Sequence, residues 1–238
     1  MSLDDAPDYS RAALFDPIAR SYGRIAPLVW PTIFRPIVTD VRAAQRASTR
    51  ILDAGTGSGY WIDLLARDRP RQRCVGLDLS TEFLHLARTK ARAANTEFVL
   101  GSITDIPFFD ATFDGLTCAG VLDTLPNIDV ALAEFRRVLS PTGVVSLVLR
   151  GPDRRLSRLV EYLSRIHVRI AMTLNPKASV GTGPTDRVVD QHWSREPVLP
   201  RIGELAHAAG LHVVRVKPTP FLAHVVLRPV TDCDSAAR

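Results

Sequence analysis

Cysteine is scarce in this chain, and so are long apolar runs and charge of a single sign. Its three cysteines, Cys74, Cys118 and Cys233, stand far apart and form no C-x-x-C pair. That excludes a disulfide framework and points to reduced thiols in a cytoplasmic protein, with no metal site expected. No window reaches the ~18 apolar residues of a membrane span. The opening Met1-Ser2-Leu3-Asp4-Asp5-Ala6-Pro7-Asp8 is acidic and has no apolar centre, which argues against a secretory signal. Thirty basic residues stand against 25 acidic ones, and a net charge of +5 permits an anionic partner without demanding one. Internal repeats and low-complexity segments are also missing. What remains is an ordinary globular composition, 46% apolar over 238 residues, long enough for a sizeable core.

Against that background one segment stands out, Ile51-Leu52-Asp53-Ala54-Gly55-Thr56-Gly57-Ser58-Gly59. Two apolar residues run into an acid, and three glycines then alternate with small residues before Tyr60-Trp61-Ile62-Asp63-Leu64-Leu65-Ala66. The order predicts a buried strand, a tight turn and the start of a helix. Glycine adopts positive φ and lets a ligand lie against the backbone, while the helix start offers unpaired N–H groups. A nucleotide-like cofactor is expected at this turn.

The surrounding chain predicts an α/β fold. Residues 10–48 read as helical, interrupted at Pro17, Pro27, Pro31 and Pro36. Strands are expected at 50–53, 74–78, 97–100, 113–119 and 144–149, with helices at 60–67 and 81–94 between them. Asp129 is expected to cap a further helix, with Leu132, Phe135, Val138 and Leu139 at helical spacing and Pro141-Thr142-Gly143 as its stop. Such alternation argues for a mostly parallel sheet covered by helices on both sides. Beyond Arg150 an apolar stripe (Leu156, Leu159, Val160, Leu163, Ile166, Ile170) predicts one more helix. The Pro- and Gly-rich residues 174–200 read as a long irregular lid. A short helix at 202–209 and strands at 211–216 and 221–227 follow. A connection as short as Pro218-Thr219-Pro220 makes that last pair antiparallel.

This layout, with these residues in it, resembles a class I S-adenosylmethionine (SAM) dependent methyltransferase, closest in pattern to the quinone-biosynthesis subgroup. The segments that carry the likeness are the glycine loop, Gly76-Leu77-Asp78-Leu79-Ser80, Thr104 to Asp114, Gly120-Val121-Leu122-Asp123-Thr124-Leu125-Pro126-Asn127, and Arg136 to Gly143. Phe15-Asp16-Pro17-Ile18-Ala19-Arg20-Ser21-Tyr22 is similar to that subgroup's N-terminal helix. The resemblance implies a Rossmann-like, doubly wound, seven-stranded sheet with a C-terminal antiparallel hairpin and a helical N-terminal cap. It also implies one domain: cap 1–48, SAM-binding core 49–150, helix and lid 151–200, last helix and hairpin 201–238. SAM is the implied cofactor, with Asp53, Ala54, Gly55, Thr56, Gly57 and Gly59 at its amino-acid end and Asp78 with Leu79 at its ribose. Tyr22 is expected near the carboxylate or methyl, Ser102 and Ile103 at the adenine, and Cys118 at the end of the fourth strand is counted with these contacts. Where the family usually has an acid for the adenine amine, this chain has Ser102.

Physical reasons stand beside the likeness. A diol presents two adjacent donors, and one carboxylate accepts both, which selects Asp78, roughly 20 residues beyond Gly59. Asp53 either faces the same crevice or orients the turn through backbone N–H groups. A dehydrogenase fingerprint sets its last glycine one residue further on, and a phosphate loop needs Gly-Lys-Ser/Thr, so the spacing favours SAM. Transfer from a sulfonium needs chiefly alignment and exclusion of water, and a general base only when the acceptor must lose a proton. Asp123 and His192 are the catalytic candidates, Asp123 alternatively as a helix cap, while His167 and His224 fit core positions. Arg154, Arg158, Arg165 and Arg169 fall within about 60° of one another on a helix, which suits a solvated face first, and otherwise phospholipid head groups, nucleic acid or an anionic substrate. A small apolar or aromatic substrate is expected, with transfer to O, N or C and no nucleic-acid partner. The alternatives are an RNA modifier, a SAM-binding protein without transfer, and a dehydrogenase.

Overall fold

The computed structural model describes residues 12–67, 69–153, 162 and 197–231, with the backbone alone for 12–14, 17–18 and 20–30. In chain order the elements are α1 (Ala12–Ala44), β1 (Arg50–Ala54), α2 (Tyr60–Ala66), β2 (Arg73–Asp78), α3 (Thr81–Lys90), β3 (Thr96–Leu100) and β4 (Phe113–Ala119). A 3-10 turn at Leu122–Thr124 precedes α4 (Ile128–Val138) and β5 (Leu139–Arg150). The chain then continues with α5 (Ile202–Ala208), β6 (Leu211–Pro218) and β7 (Leu222–Pro229).

One seven-stranded sheet runs in the order β3-β2-β1-β4-β5-β7-β6. The first five strands pair in parallel, and β7 pairs antiparallel with both β5 and β6, so the expected hairpin is present. The order reverses at β1 and β4, which opens a crevice at the carboxyl ends of those strands. Alternation along the strands divides the core between the two faces. Leu52, Val75, Leu116, Leu147 and Val225 meet α4 and α5 through Leu132, Phe135, Ile202 and Ala206. Ile51, Cys74 and Val148 meet α1 and α2 through Phe34, Ile37, Val41, Trp61 and Leu65. Cys74 and Cys118 are buried and carry free thiols.

Several expected boundaries are corrected. Helix α1 runs unbroken through all four prolines. Pro31 and Pro36 lie exposed, where water can serve the carbonyls that a missing N–H leaves open. The cap of α4 is Asn127, not Asp129, which sits in the first turn, where a carboxylate favours the helix dipole. Strand β5 begins at Leu139 instead of Val144. Its register against β4 jumps from Phe113↔Leu139 to Gly115↔Val144, so Pro141-Thr142-Gly143 forms an irregularity within the strand. Helix α3 ends at Lys90, short of the expected 94. Beyond it, the Asn95 amide donates to the carbonyls of Arg69 and Gln72 at 3.0 and 2.7 Å.

The Arg154–Arg169 stripe, His167, His192 and nearly all of the expected lid lie outside the described residues. Among the described residues, no helix is long and apolar enough to cross a membrane.

Candidate functional site

The site grows from the turn after β1. Gly55, Gly57 and Gly59 have φ of 74°, 53° and 82°, all in the left-handed region. The N–H groups of Gly55 and Thr56 both donate to the Leu77 carbonyl at 2.8 and 2.9 Å, which ties the turn to β2. At Gly55 a Cβ would stand 2.4 Å from Cγ2 of Val121, so the segment after β4 closes directly on the turn. At Gly57 an added Cβ meets nothing within 4 Å, so this part of the turn faces open space.

Asp53 is 1% exposed and accepts the Thr56 hydroxyl proton at 2.7 Å. Burial pushes its carboxyl up to about 7; the Thr56 hydroxyl opposes the rise, Asp78 adds to it, and the N–H of Ile62 opposes it. The expected role in orienting the turn is therefore exercised through the Thr56 side chain and the first turn of α2.

Asp78 closes β2. Its Oδ2 accepts from the Gly57 N–H at 2.7 Å and its Oδ1 from the Ser80 N–H at 2.9 Å. Burial raises its carboxyl to about 6, the N–H groups of Ser80, Gly57 and Leu79 oppose this, and Asp16 raises it further. The glycine turn and the strand-end acid are thus joined by a direct hydrogen bond. The Asp78 carbonyl also accepts from the N–H of Gly101 at 3.0 Å, which brings the segment after β3 alongside.

In that segment Ser102 is buried and its hydroxyl pairs with the Thr104 hydroxyl at 2.7 Å, while the Ile103 side chain belongs to the core. The following loop is clamped from α4. Glu134 accepts from the Ile106 N–H at 2.7 Å, and Arg137 donates to the carbonyls of Ile106 and Phe108 at 2.8 and 2.7 Å. Cys118 lies in the same core, its thiol pushed up by burial, so any contact from this residue to a ligand runs through its backbone.

Asp123 is 3% exposed. Its Oδ2 accepts from the Arg150 N–H at 2.9 Å, and its Oδ1 accepts from the Val198 N–H at 3.2 Å and lies 3.3 Å from Arg150 Nε. Both oxygens therefore bind the end of β5 and the chain before α5. The side chain of Tyr22 lies outside the described residues.

Three features were missed from the sequence. Ser80 caps α3 by accepting from the Phe83 N–H at 3.1 Å, a role that Ser before a helical run signals by itself. The Glu134–Arg137 clamp carried no signal beyond helical spacing. Asp16 of α1 accepts from the Ser80 hydroxyl across 64 positions of sequence, and nothing local announces such a contact.

Comparison with known proteins agrees with this geometry. Residues 52–147 match the family described as a methyltransferase domain. A demethylmenaquinone methyltransferase of Thermotoga maritima is 33% identical over 146 residues, covering 60% of this chain and 62% of the relative. A malonyl-[acyl-carrier protein] O-methyltransferase of Laribacter hongkongensis is 32% identical over 158 residues, covering 61% and 52%. The chain thus spans less than two thirds of the length of these curated relatives. In fold, the chain is similar to the Burkholderia thailandensis 1,6-didemethyltoxoflavin-N1-methyltransferase, solved with its substrate and S-adenosylhomocysteine. The TM-score is 0.62 at 19% identity, over 95% of this chain and 92% of that one. Residues 52–147, which hold the glycine turn and the strand-end acid, thus match a methyltransferase domain, and the fold around them is similar to that of solved methyltransferases.

Proposed function

We propose that this chain transfers a methyl group from SAM to a small, apolar or aromatic acceptor at O, N or C, acting as a single cytoplasmic domain. The observation that carries this reading is the union of the glycine turn with Asp78. The donor and acceptor set fits the cofactor. Open space beside Gly57 admits a ligand against the backbone, and a carboxylate already oriented by two N–H groups keeps lone pairs for a ribose diol. When bound, SAM supplies an activated methyl on a sulfonium, so the protein need not generate an electrophile.

The residues of the chain then bind and orient. Asp78 accepts the ribose hydroxyls, and Gly55 and Gly57 let the amino-acid end approach. Asp53, Ala54, Thr56 and Gly59 hold the shape of that turn. Leu79, Ser102, Ile103 and the backbone at Cys118 border the adenosine, and Tyr22 contacts the methionine end. Asp123, with both oxygens engaged, positions the wall beside the acceptor by holding β5 against residue 198. His192 is the remaining candidate for taking a proton from an acceptor hydroxyl.

The relatives' names differ in the acceptor, demethylmenaquinone in one case and malonyl-[acyl-carrier protein] in the other. The test is release of S-adenosylhomocysteine when protein and SAM meet a panel of small phenols, amines and carboxylic acids. Acceptor-dependent release supports transfer. Saturable SAM binding with no release for any acceptor, hydroxylated quinone precursors included, would reduce the chain to a SAM-binding protein.

A further inference from the structure

The contact between Asp16 and Ser80 joins the N-terminal helix to the acid of the ribose site. Ser80 is fully buried and uses every part of its polar surface. Its N–H donates to Asp78 Oδ1 at 2.9 Å, its Oγ accepts from Phe83 at 3.1 Å, and its single hydroxyl proton goes to Asp16 Oδ1. A continuous hydrogen-bonded path therefore runs from α1 through the cap of α3 to the carboxylate at the end of β2. The hydroxyl bond to a charged carboxylate is of the stronger, charge-assisted kind.

We propose that Asp16 is a positioning residue of the cofactor site: it latches α1 to Ser80 beside the ribose acid. The proposal rests on the reading of Asp78 as the ribose acceptor. A carboxylate accepts from both hydroxyls of a diol, whereas a protonated carboxyl loses an acceptor position and the charge assistance, so affinity is highest where Asp78 is ionised and weakens as pH falls through its range. The charged groups that act on Asp78 are Asp16 from α1 and Asp53 from β1, while α3 carries Glu82 in its first turn and β3 opposes with Leu100. Burial raises the Asp78 carboxyl most, and the negative charge on Asp16 raises it further. Neutralising Asp16 while keeping its shape must then let Asp78 ionise at lower pH, whereas shortening Asp16 must free the helix.

The experiment is titration of the full chain with SAM from pH 5 to 8, together with the dissociation rate of S-adenosylhomocysteine. Wild type is compared with Asp16→Asn, Asp16→Ala, Ser80→Ala and Asp78→Asn. The expected result is an acidic loss of affinity centred near 6 in the wild type. It moves to lower pH in Asp16→Asn. Dissociation becomes several-fold faster in both Asp16→Ala and Ser80→Ala. A merely structural Asp16 would alter melting temperature and leave the pH profile in place. Superimposed profiles for wild type and Asp16→Asn, or unchanged dissociation in Asp16→Ala, would overturn the latch. Undiminished SAM affinity in Asp78→Asn would instead overturn the ribose assignment beneath it.

Discussion

At the scale of single residues, Gly55 carries two constraints at once. Its φ of 74° costs an L side chain about 1–2 kcal/mol, and the Cβ would press on Val121 at 2.4 Å. Gly55→Ala is therefore expected to lower stability by more than the backbone term alone and to weaken SAM. Adding Val121→Ala should recover the steric part and leave the backbone part, as read by urea unfolding of the single and double variants.

Two buried titratable groups make opposite predictions in pH. Asp53 ionises in the folded chain at about 7, against 3.8 when unfolded. The folded state thus holds an extra proton between those values, and the contribution of Asp53 to stability falls as pH rises through that window. Asp53→Asn should consequently be more stable than wild type at pH 8, by about 1 kcal/mol or more, and closer to it at pH 4.5. His224 behaves in reverse. It is fully buried with neither ring nitrogen hydrogen-bonded, and burial first, then Arg215 and Lys217 against Asp40, lowers it to about 4. The unfolded imidazole gains its proton near 6.5, so stability is present above that pH and is lost as pH falls toward 4. His224→Leu should stabilise the protein by about 1 kcal/mol, and by more at pH 5 than at pH 7.5, because it removes two unsatisfied polar atoms. Equal effects at both pH values would contradict a neutral buried ring.

At the scale of elements, the loop after β3 owes its position to α4. Arg137 grips two carbonyls of that loop and pairs with Glu134, which itself holds the Ile106 N–H. Arg137→Ala should cost about 1–3 kcal/mol in denaturant unfolding, since it leaves Glu134 and two carbonyls short of a donor. It should also weaken SAM more than it slows transfer at saturating SAM. The elements themselves were largely readable from period and punctuation, because Ile51-Leu52 and Val144 to Leu149 can only be buried strands. The errors fell where a local rule met a wider context. Four prolines promised breaks in α1, yet the helix runs on, and at Pro31 and Pro36 the exposed side tolerates the loss of their donors. Pro141-Thr142-Gly143 does lie beyond the end of α4, but the strand already begins at Leu139, paired with Phe113 of β4, so the three residues form an irregularity inside it.

At the scale of the whole molecule, the switch in strand order between β1 and β4 places the glycine turn, Asp78 and the segment after β4 around one crevice. The turn and its acid were legible because each has a fixed spacing from a strand end. Asp16 and the partners of Asp123 were not, because those contacts join positions 64 and 75 residues apart and depend on how layers stack. The same distance explains why the cofactor side is specified more sharply than the acceptor side. The central claim is that SAM binds this turn with its ribose on Asp78, and calorimetric titration of wild type and Asp78→Ala with SAM and with NAD tests it most directly. The account predicts saturable SAM binding, no comparable NAD binding, and a loss of at least about tenfold in SAM affinity for Asp78→Ala. NAD binding in place of SAM, or equal SAM affinity in the two proteins, would contradict it.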